Sequence, residues 1–200
     1  MFDSTIYPQI DLDTYQRKAQ LDDGTGVVLR PMVPGDKDAL FEFFKEVPTE
    51  DAKYLRDEVS SLLLIEKWAN ELDYTRTLPI LAVKEGRIIA DATINRRPSG
   101  WKRHLGTVRI FVHKDHRNVG LGRVMIQEIT DIAYKLGIEK LLVEIPDINA
   151  SAVNAFTRAG YYRVAAIPNM VKDKDDMPID IVVMMKDVRP AHDEAYDYDF

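Results

Sequence analysis

The chain contains no cysteine. Disulfides, zinc–thiolate centres and cysteine nucleophiles are therefore excluded, and a reducing, cytoplasmic setting is expected. No apolar run approaches the ~18 residues of a membrane-spanning helix, so no membrane partner is expected. Met1-Phe2-Asp3-Ser4 lacks the basic start and apolar stretch of a secretory leader. Basic charge is not in excess either: 33 acidic residues stand against 27 basic ones, a net charge of −6. A mildly acidic surface disfavours non-specific binding to nucleic acid or anionic lipid, while a local pocket can still hold an anion. The 46% hydrophobic and 30% charged residues are the balance of a globular chain, and 200 residues suffice for a core without staples.

Periodicity sets out the elements. Residues 1–25 form a polar N-terminal extension in which Ile10 to Leu21 suggests a short helix, broken by Gly24-Thr25-Gly26. Val27 to Val33 reads as a β-branched strand ended by Pro34-Gly35. Asp36 is placed to cap a helix through Glu46; Pro48 stops it, and Thr49 can cap the next. That second helical region spans about Glu50 to Leu72, with Leu62, Ile65, Ala69 and Leu72 on one face beside Trp68. Pro79 to Val83, the Glu85-Gly86 turn and Arg87 to Arg96 predict a hairpin; Pro98-Ser99-Gly100 turns the chain towards a strand over Thr107 to His113.

The second half opens with an amphipathic helix from Leu121 to Leu136, closed by Gly137. A buried strand follows at Lys140 to Ile145, then a small helix at Asn149 to Ala159 ending at Gly160. Strands at Tyr161 to Ile167 and Ile179 to Met185 are joined by the charged loop Asp173-Lys174-Asp175-Asp176. This order predicts one α/β domain on a mixed sheet over residues 26–187. The tail, 188–200, alternates acids with Tyr196, Tyr198 and Phe200. Composition alone reads it as disordered; its aromatics suit packing on its own domain or on a second subunit, which would make a homodimer.

The most informative segment is Ile110-Phe111-Val112-His113-Lys114-Asp115-His116-Arg117-Asn118-Val119-Gly120-Leu121-Gly122-Arg123. A strand ends, a basic loop follows, and two glycines open a long helix. A helix start presents unpaired N–H groups and a partial positive charge. Glycine admits an anion to that backbone, and Arg117 and Arg123 add formal charge, so the turn suits a phosphate or pyrophosphate. It is not a nucleotide P-loop, because no Gly-Lys-Ser or Gly-Lys-Thr is present. It fits a dinucleotide fingerprint poorly: Met125 holds the third glycine position, and charged residues separate the strand from Gly120.

Arg117-Asn118-Val119-Gly120-Leu121-Gly122 resembles the signature of the GNAT superfamily of acyl-CoA-dependent N-acetyltransferases. The stretch Asn149-Ala150-Ser151-Ala152-Val153-Asn154-Ala155-Phe156-Thr157-Arg158-Ala159-Gly160-Tyr161 resembles that family's second signature. The resemblance covers about Val27 to Met185 and implies a mixed, mostly antiparallel central sheet flanked by helices. It implies that acetyl-CoA is the acyl donor, its pyrophosphate on Arg117, Asn118, Val119, Gly120, Leu121, Gly122 and Arg123. The pantetheine arm would lie along the fourth strand at Ile110, Phe111 and Val112, where that strand splays from the one at Leu141 to Ile145. Asn149 matches a cofactor-contacting position and can also cap its helix. Phe156 stands where many members carry a tyrosine that protonates the leaving thiolate. It can pack beside the cofactor arm or serve as an ordinary core aromatic.

The implied reaction is direct attack of a primary amine on the acetyl thioester. A lysine-like amine has a pKa near ~10.4, so a carboxylate must take its proton. A backbone N–H of the fourth strand is the simplest donor to the oxyanion. Glu144, ending the strand beside the splay, is the candidate catalytic base, and its alternative is a solvated strand-end carboxylate. Asp91, interrupting Ile88-Ile89-Ala90, faces either the site or the open side of the sheet. Of Tyr161 and Tyr162, alternation turns one inward. His104, His113, His116 and His192 have no partners at metal-ligand spacing, so no metal is expected. Trp101-Lys102-Arg103-His104 reads as a solvated loop or as part of an acceptor pocket. Glu50, Asp51, Asp57, Glu58, Asp173, Asp175 and Asp176 would form an acidic rim attracting a cationic acceptor. The alternative function is a catalytically silent acyl-CoA-binding regulatory module.

Overall fold

The computed structural model describes residues 10–48, 51, 61–173 and 175–188. The elements described run β1 (Arg17–Gln20), β2 (Gly26–Pro31), α1 (Lys37–Lys45), α2 (Leu62–Asn70), β3 (Thr77–Lys84), β4 (Arg87–Arg96) and β5 (Leu105–Val112). After these come α3 (Leu121–Lys135), β6 (Lys140–Pro146), α4 (Ala150–Arg158), β7 (Tyr162–Lys172) and β8 (Pro178–Asp187). The strands form one sheet in the order β1-β2-β3-β4-β5-β6-β8-β7. Every pairing is antiparallel except β5 with β6, which the α3 crossover makes parallel. This is the mixed, mostly antiparallel sheet with flanking helices that the sequence predicts.

Helices cover both faces. On one, Leu121, Met125, Ile129 and Ile132 of α3 and Phe156 of α4 are buried against Ala90, Ala92, Ile94, Val108, Leu141 and Val143. Each such aliphatic side chain contributes about 2 kcal/mol of burial. On the other face, Leu40, Phe43 and Phe44 of α1 and Ile65 and Ala69 of α2 pack on Met32, Leu81, Ile88 and Phe111. Gly137, at φ 80°, ends α3 in the left-handed region as expected.

Three expectations near the N-terminus are corrected or curtailed. Ile10 to Leu21 is not a helix. The Asp11 side chain accepts hydrogen bonds from the Asp13 N–H (3.1 Å) and the Thr14 hydroxyl (2.8 Å), closing a turn. Arg17–Gln20 then pairs with β2, so the strand expected to be fourth is the fifth. Asp36 occupies the N-cap position of α1 but makes no capping bond there. Its carboxylate instead takes both guanidinium nitrogens of Arg30, at 2.6 and 2.7 Å, and the Val33 N–H at 2.8 Å. Burial pushes its pKa up, but these partners outweigh burial and hold it below the usual carboxylate value. Most of the second helical region before Ser61, with Thr49 and Glu50, lies outside the described residues, as does the tail beyond Val188.

Two features position the site. The β5–β6 ladder has three pairs, Leu105 with Lys140, Gly106 with Leu141 and Thr107 with Leu142; beyond them the strands part. At this vertex a Cβ on Gly106 would stand 3.0 Å from both Ile94 Cγ2 and Leu141 Cδ2, so the close approach of the strands depends on glycine. Secondly, Glu128 of α3 is fully buried, accepts a 2.6 Å bond from the Tyr15 hydroxyl and pairs with Arg17. The N-terminal extension is thereby tied to the crossover helix.

Candidate active site

The turn from β5 into α3 begins at His113, which is buried. Its Nδ1 accepts the Asp115 N–H at 3.3 Å, and its Nε2 lies 2.9 Å from Glu46 on the loop after α1. Asn118 (φ 61°) and Gly120 (φ 82°) turn the chain into the helix. Gly120 is the N-cap, and among the described residues no side chain caps the first N–H groups of α3.

The two glycines do different things. A Cβ on Gly122 would meet nothing within 4 Å among the described residues, so the space they leave over the helix start could admit an anion. A Cβ on Gly120 would stand 2.5 Å from Asp22 Oδ2 on the β1–β2 turn. Gly120 is thus favoured by its positive φ, and any side chain there would also have to displace the Asp22 carboxylate. Leu121 is buried in the core and offers the turn only its backbone. Both arginines carry carboxylates: Arg117 donates to Asp51 at 2.7 Å and Arg123 to Asp22 at 2.6 Å. Arg117 also donates to the Val112 carbonyl (3.2 Å) and lies over the Phe111 ring.

Along β5, Ile110 and Val112 pack towards the α3 face, whereas Phe111 belongs to the α1–α2 face. Residues 108–112 face the opening left by β6. Glu144 lies two residues past Leu142, beyond the last β5–β6 pair. Leu141, Val143 and Ile145 are buried on the α3 face, so alternation directs Glu144 to the opposite face, that of Thr107 and Arg109. It is half-buried.

Asn149 caps α4, its side chain accepting the Ala152 N–H at 3.1 Å. Phe156 is buried edge-to-face on Tyr161, with ring centroids 4.9 Å apart. Tyr161 is the inward tyrosine, and Tyr162 is exposed with its hydroxyl on Asp187. The Tyr161 hydroxyl is buried, and burial raises its pKa well above the phenol range against a smaller opposing pull from the Thr130 side chain.

Between α2 and the sheet lies a cavity of about 300 Å³. Its floor is polar, formed by Asp91, Thr93 and Asn95 of β4 and Thr107 and Arg109 of β5, and Trp68 forms part of the wall. Asp91 therefore faces the covered side of the sheet. Its carboxylate takes the Arg109 guanidinium at 2.9 Å and the Thr93 hydroxyl at 3.2 Å. Burial nonetheless raises its pKa above the usual value, against the pull of Arg109. Sequence reasoning missed Arg109, Thr93, Asn95 and Trp68 as a group; the only signal was an aspartate inside an apolar run.

The other expected elements lie elsewhere. Of the acidic rim, Asp51 pairs with Arg117, and Asp173 closes its own turn by accepting the N–H groups of Asp175 and Met177. Asp176 pairs with Lys172. None of these lines the cavity. Glu50, Asp57 and Glu58 lie outside the described residues, as does His192. Trp101 is 83% exposed, so its loop is solvated and is not part of the cavity wall.

A glycine-capped helix start, open space over Gly122, the guanidinium groups of Arg117 and Arg123 on the flanking segments and a parted strand pair fit a diphosphate carrying an extended arm. A family model for the acetyltransferase (GNAT) family matches residues 38–161, and the chain belongs to that family. The acetyltransferase of the GNAT family from Streptococcus pneumoniae superposes with a TM-score of 0.71 at 22% identity, over 80% of this chain and 98% of that one. The GNAT superfamily phosphinothricin acetyltransferase from Sinorhizobium meliloti, solved in complex with acetyl-CoA, gives 0.70 at 17% identity, over 86% and 97%. Identities this low establish the fold. Streptothricin acetyltransferase of Streptomyces lavendulae is 35% identical over 63 residues, 32% of this chain and 33% of that protein. The amino-acid acetyltransferase of Mannheimia succiniciproducens is 28% identical over 114 residues, 57% of this chain and 24% of that protein. The chain thus matches about a third and a quarter of the length of these two relatives.

Proposed function

We propose that the protein transfers the acetyl group of acetyl-CoA to a primary amine by direct attack. The observation that carries this reading is the parting of β5 from β6 beside a glycine-capped helix start. The N–H groups at the start of α3, with Arg117, Asn118, Val119, Gly120, Leu121, Gly122 and Arg123, would hold the pyrophosphate. Ile110, Phe111 and Val112 would line the arm, with Asn149 and Phe156 alongside. Acetyl-CoA, when bound, supplies the thioester; the chain supplies position and proton transfer.

Glu144 serves as the base in this reading. It is half-buried beyond the vertex and on the same sheet face as the cavity. As the C–N bond forms and the C–S bond breaks, the amine proton passes to the Glu144 carboxylate, directly or through water. Backbone N–H groups of β5 stabilise the oxyanion. Phe156 has no proton for the thiolate, which solvent then supplies; free thiols titrate near ~8.5, so the group leaves without a dedicated acid.

The test is thiol release with a panel of amines, compared between wild type and Glu144→Gln. A base role predicts roughly a 10²- to 10³-fold loss of kcat and loss of the limb of the pH profile that reports the base. An unchanged profile removes Glu144 from the role. Phe156 also supports a second reading, a silent acyl-CoA-binding module; acetyl-CoA binding without thiol release for any amine would favour it.

A further inference from the structure

Between β4 and β5 the chain carries a concentration of positive charge. Residues 96–104 hold four basic side chains, Arg96, Arg97, Lys102 and Arg103, and no acidic one, in a protein whose net charge is −6. Arg97, Trp101 and Lys102 are exposed there. Trp101, at 83%, is more exposed than any other large hydrophobic residue among those described, and the Lys102 ammonium lies 5.8 Å from its ring centroid. An indole with cations beside it is a surface that recognises carboxylates and aromatic rings together.

The complementary chemistry lies in the same chain, outside the described residues. Asp193-Glu194-Ala195-Tyr196-Asp197-Tyr198-Asp199-Phe200 has four acids, three aromatics and no Lys or Arg. Tyr196, Tyr198 and Phe200 alternate with Asp197 and Asp199, so an extended backbone would turn rings to one side and carboxylates to the other. Val188, which leads into this segment, lies beside the loop. Its N–H donates to the Glu139 carbonyl at 2.8 Å, and the N–H groups of Glu139 and Lys140 donate to the His104 carbonyl at 2.9 and 3.2 Å. Two such strand spacings are about 10 Å. Each extended residue adds ~3.3 Å, so a segment starting at Asp193 has chain enough to reach Trp101.

We infer that residues 193–200 dock in cis on the β4–β5 loop, with acids facing Arg97 and Lys102 and an aromatic ring on Trp101. The competing surface is β7, where Val164, Ile167, Met170 and Val171 are exposed. Its cations are Arg163 and Lys172, near its two ends, so it matches the aromatics of the segment but not its run of acids. Exposed ion pairs are individually weak. Tethering changes the balance, because a short linker sets an effective concentration in the ~millimolar range. Contacts too weak to join two molecules therefore close within one, and the covered loop is shut to other acidic partners. The inference is independent of the acetyl-transfer reading.

With no cysteine in the chain, a single label can be placed at will. Ala195→Cys in the full chain carries a nitroxide, which quenches tryptophan fluorescence only near contact. The same label in a Trp101→Phe protein separates the signal of Trp101 from that of Trp68. Docking in cis predicts that the label removes at least about half of the Trp101 emission at low salt, independently of protein concentration. The quenching should weaken as salt is raised to ~1 M, where the Debye length is about 3 Å. Neutralising the segment with Asp193→Asn/Glu194→Gln/Asp197→Asn/Asp199→Asn should restore the emission. So should Arg97→Glu/Lys102→Glu, which alters only exposed side chains of the loop. Absent quenching, quenching indifferent to salt, or quenching that survives either set of substitutions overturns the inference. Quenching that grows with protein concentration, together with a dimer in sedimentation, also overturns it and assigns the segment to a second copy of the chain.

Discussion

Arg123 donates to the Asp22 carboxylate at 2.6 Å, and that carboxylate also occupies the space a side chain on Gly120 would need. The turn that suits a diphosphate is therefore already in contact with an acid from the β1–β2 turn, whose Asp22 N–H donates to the Val119 carbonyl at 3.0 Å. Arg117 is held in the same way by Asp51. In the proposed binding mode a diphosphate would compete with Asp22 and Asp51 for these guanidinium groups.

Asp22→Asn should accordingly tighten acetyl-CoA binding. The pair is exposed, so the gain is modest, about 2- to 5-fold. It should shrink as ionic strength rises, because exposed charges are screened. Calorimetric titration at two salt concentrations measures both effects. Unchanged or weaker binding would mean that Asp22 supports the bound state instead of competing with it.

The separate duties of the glycines give a sharper test of the cofactor site. Gly122→Asp introduces a carboxylate into open space within the first turn of α3, so the protein should fold normally. A negative charge at that point repels a diphosphate and should weaken CoA binding by at least ~10-fold. Gly120→Ala should act on stability instead, since the residue sits at φ 82° and its Cβ would meet Asp22. A cost of about 1–2 kcal/mol is expected, read by urea denaturation. Equal CoA affinity for wild type and a folded Gly122→Asp protein removes the pyrophosphate from this turn.

Much of this architecture was legible because it is locally encoded. The α3 periodicity, the Glu85-Gly86 hairpin and the β4 bounds Arg87–Arg96 are set by neighbours in the chain, and the structure reproduces them. Arg17–Gln20 was not legible as a strand, because its conformation follows from pairing with β2, and pairing partners leave no periodic trace in four residues. In the sequence Asp36 reads as a helix cap and Glu128 as one more helix acid; Arg30, Tyr15 and Arg17 account for them only in three dimensions. The glycine motif does not show in sequence that its two glycines sit differently: Asp22, about a hundred residues away, stands beside Gly120 and leaves Gly122 clear. The cavity escaped for the same reason. Its floor alternates polar residues on two strands whose other faces are apolar, and its wall comes from α2.

Glu128 should contribute to stability beyond its own helix. It is fully buried, and the Tyr15 hydroxyl and Arg17 are brought to it from the N-terminal extension. Glu128→Gln removes the charge that Arg17 pairs with and should cost about 1–3 kcal/mol. Proteolysis within the first 25 residues should accelerate in the variant if the extension is released. An unchanged urea midpoint and cleavage rate would show that the extension is held by its pairing with β2 alone.

One buried phenol, Tyr161, and one half-buried phenol, Tyr15, should make the protein sensitive to alkali. Burial raises the pKa of Tyr15, reinforced by Glu128, and burial raises that of Tyr161. Each folded value lies above the unfolded one, so the unfolded chain loses its phenolic protons first. The contribution to stability is fully present below pH ~10, the ordinary phenol value, and is lost as pH rises from there towards the folded pKa. Melting temperature should therefore fall as pH rises above about 10, and the fall should be shallower in Tyr161→Phe. That substitution also deletes a buried hydroxyl and should change stability at neutral pH by no more than about 1 kcal/mol. It further decides whether Tyr161, packed edge-to-face on Phe156, replaces the missing tyrosine acid. A phenol whose ionisation is opposed by burial is a poor proton donor to a thiolate, so acetyl transfer by Tyr161→Phe should stay within about twofold of wild type. A loss of tenfold or more in kcat, with acetyl-CoA affinity intact, would assign Tyr161 that role after all.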